Sequence, residues 1–223
     1  MSDPAVLART DRASVCAPAG YGKTHLIGHA LLAGPDERHL ILTHTHAGVH
    51  ALRKRLTLLG VPRNRYRIDT IAGWALYYAR AFPTTTEYIK PAIAFQENWP
   101  NVYTSVAEFF RTSPAKAIVN ATYMGVYVDE YQDCSLPQHA LIVALATLIP
   151  CRVLGDPLQA IFNFAEPTVD WQNDVTAVFP ALPPLTQPHR WSHDPSFATW
   201  LQQVRIALGP RPRECFPFEH YCI

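Results

Sequence analysis

With 223 residues, 48% of them hydrophobic and 17% charged, the chain can bury one sizeable core, with or without a small appendage; its net charge of +1 argues neither for nor against nucleic acid. No run approaches the roughly 18 apolar residues of a membrane span, and MSDPAVLARTDRA lacks the charged-then-apolar layout of a signal peptide, so a cytoplasmic chain with no membrane partner is expected. The five cysteines, Cys16, Cys134, Cys151, Cys215 and Cys222, include no CxxC pair, which fits reduced thiols better than a disulfide framework or a zinc ribbon.

The first strand-like run, ASVCA (13–17), leads into APAGYGKT (17–24), which follows GxxxxGK[ST] except that Ala17 stands in place of the first glycine. A helical pattern, THLIGHALLAG (24–34), comes directly after, and the strand-loop-helix context is what the chemistry requires. Gly20 and Gly22 can turn successive amides toward phosphate oxygens, and the helix opening at Lys23 adds its positive dipole end. Ala17, Gly20, Tyr21, Gly22, Lys23 and Thr24 are therefore the expected ATP cradle. Lys23 would reach the β and γ phosphates, and Thr24 would ligate Mg²⁺.

Next come a strand, HLILTH (39–44), a helix, VHALRKRLTLL (49–59), a short strand, YRID (66–69), and a helix, IAGWALYYARAF (71–82). The run RKRLTLLGVPRNRYR carries Arg53, Lys54, Arg55, Arg63, Arg65 and Arg67 with no acidic residue, a pattern that suits a phosphate backbone or, more plainly, a solvated helix face and loop. THTHAGVH (43–50) invites a metal reading, but no convincing fourth ligand is visible; these histidines, with His25 and His29, read as ordinary surface or nucleic-acid-facing groups. Residues 81–124, rich in proline, polar residues and aromatics, break the rhythm and read as a helical insert.

GVYVDE (125–130) is an apolar strand ending in two carboxylates. Asp129 is the expected Mg²⁺ holder and Glu130 the group that orients or deprotonates attacking water. A helix, PQHALIVALATLI (137–149), and a fifth strand, CRVLGD (151–156), complete an alternation that predicts an α/β fold, a P-loop NTPase parallel sheet flanked by helices. One core domain over residues 1–207 is expected, with the insert at 81–124 and a tail at 208–223 that could open a further domain.

APAGYGKT, LTHTHAGVHALRKRL (42–56), DTIAGWAL (69–76), VDEYQD (128–133), LGDPLQAIFNF (154–164) and LTQPHR (185–190), in that order, resemble the first RecA-like domain of UvrD/Rep-type superfamily 1 DNA helicases. The resemblance covers about residues 13–207 and is most specific in DEYQD followed by GDPLQAI. It implies that Gln159 senses the γ-phosphate and that Arg190 contacts it from the domain edge. It also implies single-stranded DNA along His44, His46, Arg53, Arg55, Thr70, Trp74 and Phe164, and a second RecA-like domain, in a longer chain or a partner, to complete the ATP site. The sequence departs from the family in having no glutamine shortly before Val15, in His44 and His46 where an aromatic and an asparagine are usual, and in lacking an arginine at Ala165. Two other readings remain: a degenerate helicase-like ATP-binding module in a larger complex, and a small-molecule kinase. The kinase would need an arginine-rich lid, whereas residues 81–124 carry only Lys90, Arg111 and Lys116.

Overall fold

Strands form where four or five largely apolar residues run together: β1 Arg12–Cys16, β2 His39–Thr43, β3 Tyr66–Thr70, β4 Gly125–Val128 and β5 Cys151–Gly155. The computed structural model describes residues 3–18, 20–87, 97–160, 167–185, 188–189 and 194–208. All strand pairs are parallel, in the order β1-β5-β4-β2-β3. β2, β4 and β5 are buried at every position, as central strands covered on both faces must be. Edge strand β3 alternates buried and half-buried residues. The other edge, β1, is covered by the chain at 180–182, where Ser14 N–H donates to Pro180 (2.9 Å) and Leu182 N–H to Ser14 (2.9 Å).

Side-chain alternation along the strands divides the apolar residues between two layers. Leu40, Leu42, Val126 and Val128 face helices α4 (Ile71–Ala81), α5 (Trp99–Phe109), α6 (Ser113–Thr122) and α7 (Leu136–Leu145). Ile41, Tyr127, Val15 and Leu154 face α1 (Pro4–Arg9), α2 (Lys23–Ala33) and α3 (His46–Leu58). The helix α1 has no counterpart in the sequence reading; Asp3 caps it and proline stands in its first turn. The expected insert supplies α5 and α6, yet α5 packs against α4 and α7 and joins the same core. A short π-helical turn, Trp171–Val175, runs into α8 (Thr176–Val178), and α9 spans Pro195–Leu208. Cys16, Cys134 and Cys151 are free thiols; the tail at 209–223 lies outside the described residues.

The register decides where chemistry can sit. Cys16 pairs with Gly155, Val128 with Val153, and Leu42 with Val128, so β1, β5, β4 and β2 end nearly level. The glycine-bearing loop after β1 and the carboxylates after β4 and β5 therefore leave the sheet on one side, at the carboxyl ends of parallel strands, where open α/β sheets bind ligands. β5 lies between β1 and β4, which puts Asp156 between that loop and Asp129 in strand order.

At the opposite end of β5, Arg152 is buried, and its guanidinium donates to the carbonyls of Thr10 (2.6 Å) and Ala8 (2.8 Å) while lying 5.4 Å from the Tyr127 ring centre. It closes the carbonyl end of α1 together with Thr10, whose hydroxyl donates to the Val6 carbonyl at 2.7 Å. Arg152→Met should lower the free energy of unfolding by about 2 kcal/mol or more, through orphaned buried carbonyls. Urea denaturation measures it, with proteolysis at α1 as the local readout.

Candidate functional site

The loop after β1 turns on Gly20 (φ 79°) and Gly22 (φ 94°), both in the left-handed region that glycine enters without penalty. Gly22 is the N-cap of α2 and offers no side chain to bond the first-turn amides, so that positive helix end faces a cleft of about 460 Å³. A methyl at Gly22 would come 2.9 Å from the His189 ring, so glycine is also needed there for closeness. Ala17 explains itself: its side chain is buried in the α1–α3 layer, its φ is not positive, and its carbonyl accepts a bond from the Lys23 ammonium at 3.2 Å. Tyr21 is buried in that layer, away from the cleft lining, whereas Gly20, Gly22, Lys23 and Thr24 line it.

Lys23 is only 6% exposed, and its Nζ stands 3.2 Å from Glu130 Oε2. Glu130 itself has φ 56° and ψ 43°, a left-handed conformation that costs a non-glycine residue about 1 kcal/mol or more and tends to persist at functional sites. Its neighbour Asp129 is buried and accepts the Glu130 N–H at 3.1 Å. Burial, then the like charge of Glu130, push the Asp129 carboxyl up to about 7, against the opposing pull of Lys23. The same two causes raise Asp133 to about 6. Gln132 ties the group together: its amide donates to Glu130 (3.0 Å) and Asp133 (3.4 Å), and its carbonyl accepts the Asp156 N–H (2.9 Å). Gln132 and Asp133 escaped the sequence reading although they stand inside DEYQD.

These residues fit a nucleotide carrying a divalent cation. Three carboxylates share one ammonium, a deficit of positive charge that a dication corrects. Among the described residues no group of three His, Cys, Asp or Glu side chains is arranged to hold a metal by itself, which accords with Mg²⁺ bound through one or two carboxylates and phosphate. His25 and His29 bond each other at 2.8 Å.

Gln159 follows Asp156 in a single 3-10 turn, Pro157–Gln159, and spends its amide on the Asp156 carboxylate; it is not among the residues lining the phosphate cleft. Arg190 and Phe164 lie outside the described residues. Of the residues expected to meet nucleic acid, His46 and Arg53 are exposed on α3, and Arg55, exposed two residues further on, lines the cleft beside Gly22. His44 is mostly buried, 3.6 Å from the Cys134 sulfur, and burial lowers it to about 4, so it is neutral at pH 7. Thr70 caps α4 through the Gly73 N–H at 2.9 Å.

Two expectations need correction. Trp74 is 0% exposed, its ring centre 4.9 Å from Tyr78 and 5.5 Å from Phe110, and it offers no face to a base. The reason is phase: Ile71, Trp74, Ala75 and Tyr78 form the inward stripe of α4, while Tyr77 is 54% exposed. The basic run is also divided. Arg65 is buried and bonded to the carbonyls of Gly34 and Pro35 and to Asp36, and Arg67 pairs with Asp69 at 2.9 Å, so only the α3 residues and Arg63 present open charge.

The family model described as the UvrD/REP helicase N-terminal domain matches residues 98–179, the stretch that holds β4, Asp129, Glu130, β5 and Gln159. Residues 98–179 are thus UvrD-like in sequence. The chain's architecture is α/β, a five-stranded parallel sheet flanked by helices. No curated protein matches the chain in sequence. Solved structures similar to it include arterivirus nonstructural protein 10 (helicase) in complex with DNA, at 16% identity and TM-score 0.42, covering 80% of this chain and 36% of that one. A crystal structure of arterivirus nonstructural protein 10 (helicase) matches at 16% identity and TM-score 0.39, covering 80% and 35%. The chain spans about a third of the length of those two. Among the described residues no helix is long and apolar enough to cross a membrane.

The buried carboxyls imply a pH signature. Asp129 holds its proton more tightly folded than unfolded, so stability of the unligated chain should fall as pH rises from the ordinary value of 3.8 to about 7. Asp129→Asn should remove much of that slope and stabilise the chain at about pH 8 by on the order of 1–3 kcal/mol. Urea midpoints measured across that range give both quantities.

Proposed function

We propose that the chain is the ATP-binding and hydrolysing core of a UvrD-like DNA helicase or DNA-dependent ATPase, cytoplasmic, acting on single-stranded DNA with a second RecA-like domain that completes the cleft. One observation carries the reading: the Lys23 ammonium, at the uncapped start of α2, sits 3.2 Å from Glu130 at the end of β4. That joins a phosphate-holding cation and a water-activating carboxylate across a cleft lined by glycine backbone.

Mg²⁺ bound with ATP supplies Lewis acidity and neutralises phosphate charge. The chain's own residues do the rest. The α2 amides and Lys23 hold the β and γ phosphates, with Arg55 close enough to add charge from α3. Thr24 and Asp129 hold the cation. Glu130 is engaged by Lys23 and Gln132, so a phosphate that draws the ammonium away leaves the carboxylate free to accept a proton from water. That same engagement favours the second reading, a helicase-like module that keeps ATP as a structural or regulatory ligand, because a base locked in an ion pair does not turn over. Phosphate release stimulated by single-stranded DNA separates the two.

Lys23→Ala should weaken binding of a fluorescent ATP analogue by about 10- to 100-fold, the worth of a charge-assisted contact. Glu130→Gln should keep affinity within about twofold and lower turnover by about 10²-fold or more. Equal affinity in wild type and Lys23→Ala would end the assignment. For nucleic acid, charge reversal at Arg53 and Lys54 should weaken oligonucleotide binding for all sequences alike and reduce the salt slope by about 0.7 per lost contact. Arg65→Glu should instead lower the unfolding midpoint; fluorescence anisotropy at several salt concentrations, with thermal melts, distinguishes these effects.

A further inference from the structure

The carboxylate of Asp156 is 0% exposed, yet it is bonded from three directions. Arg205, on α9, reaches it with two parallel bonds, Nη1 to Oδ2 at 2.9 Å and Nη2 to Oδ1 at 2.5 Å. The Gln159 amide donates to Oδ2, and the Leu158 N–H donates to Oδ1 at 3.2 Å. Asp156 also caps the turn Pro157–Gln159, and its own N–H bonds Gln132, which bonds Glu130. An arginine far along the chain thus meets the turn that carries Gln159 through a single buried acid. Charge pairing of this kind, two-toothed and desolvated on the carboxylate side, is directional and expensive to break one partner at a time.

We infer that Arg205 is a positioning residue for Gln159: it fixes the Asp156 carboxylate, and through it the orientation of the turn that carries Gln159. The inference rests on the nucleotide-binding reading of the cleft. Arg205 touches neither the P-loop nor Glu130 in the structure, so its action passes through Asp156. Its side chain is 25% exposed, at the outer end of the pair. A shift of α9 is felt at Asp156 before it is felt anywhere else in the site. The helix thereby becomes a handle on the γ-phosphate sensor, and on Glu130 at one further remove through Gln132.

The test uses the full chain and two readouts. Hydrogen exchange without nucleotide follows the Leu158 and Gln159 amides, which the Asp156 side chain and carbonyl hold. Arg205→Met should speed their exchange by about tenfold, through loss of the charge-assisted pair of bonds to Asp156, and Arg205→Lys should restore part of the protection. Affinity for fluorescent ATP and ADP analogues with Mg²⁺ is then compared in wild type, Arg205→Met, Gln159→Ala and the double variant. If Arg205 acts through Gln159, Arg205→Met lowers the ATP-to-ADP preference, and adding Gln159→Ala lowers it no further. Unchanged exchange, equal loss of ATP and ADP affinity, or additive effects in the double variant would each overturn the inference. Lys23→Ala is the separate control: if it leaves binding intact, the nucleotide reading has failed, while the exchange result still decides whether α9 holds the turn.

Discussion

An ammonium buried beside carboxylates is the condition on which the site is built. Lys23 is the cation within reach of Glu130, and its removal would leave Asp129, Glu130 and Asp133 facing one another in a region of low polarisability. Burial, and after it the charge of Glu130, already shows in the raised Asp129 and Asp133 carboxyls. The fold tolerates it because β4 delivers Asp129 at the end of a strand buried at every position, so that it cannot retreat into solvent without breaking the sheet, while the Glu130 side chain stays 40% exposed. Parallel pairing and burial on both faces provide the rigidity, and the electrostatic tension is its product.

Around that centre, amide side chains do the positioning. Gln132 reads Glu130 and Asp133 with its nitrogen and the end of β5 with its oxygen, which makes the relative placement of β4 and β5 a matter of hydrogen-bond length. A neutral amide suits this task because it can donate to an acid and accept from a backbone without adding to the local charge. The left-handed Glu130 belongs to the same arrangement, a strained turn held by sheet on one side and by Gln132 on the other.

Much of this was legible in the sequence, for identifiable reasons. The strands stand out because the central ones are largely apolar and follow one another between helical patterns, and the loop after β1 because its glycine spacing and a following helix carry a mechanism. What escaped depends on long-range partners. Trp74 reads as a stacking group until the phase of α4 shows it inside the stripe with Ile71 and Tyr78. Arg65 and Arg67 read as free charge because Asp36 and Asp69 fall outside the run or at its edge; only the fold brings them into contact. Arg205 carries no local signal at all, since its meaning lies in an acid 49 positions earlier. Arg152 is hidden for the same reason, its carbonyl partners being supplied by α1.

The strand order sets a timetable. β1, which carries the phosphate loop, has one strand neighbour, β5, and its other side is covered by residues 180–182. Both flanks are made much later than β1 itself, and Arg152, the residue that secures α1, belongs to β5 as well. During synthesis the first strand and its loop must therefore wait, without a sheet to join, while β2, β3 and β4 can already pair among themselves. Contacts this distant in sequence are slow to form and leave apolar segments exposed meanwhile. The cleft after β1 is thus the last part of the sheet to come together.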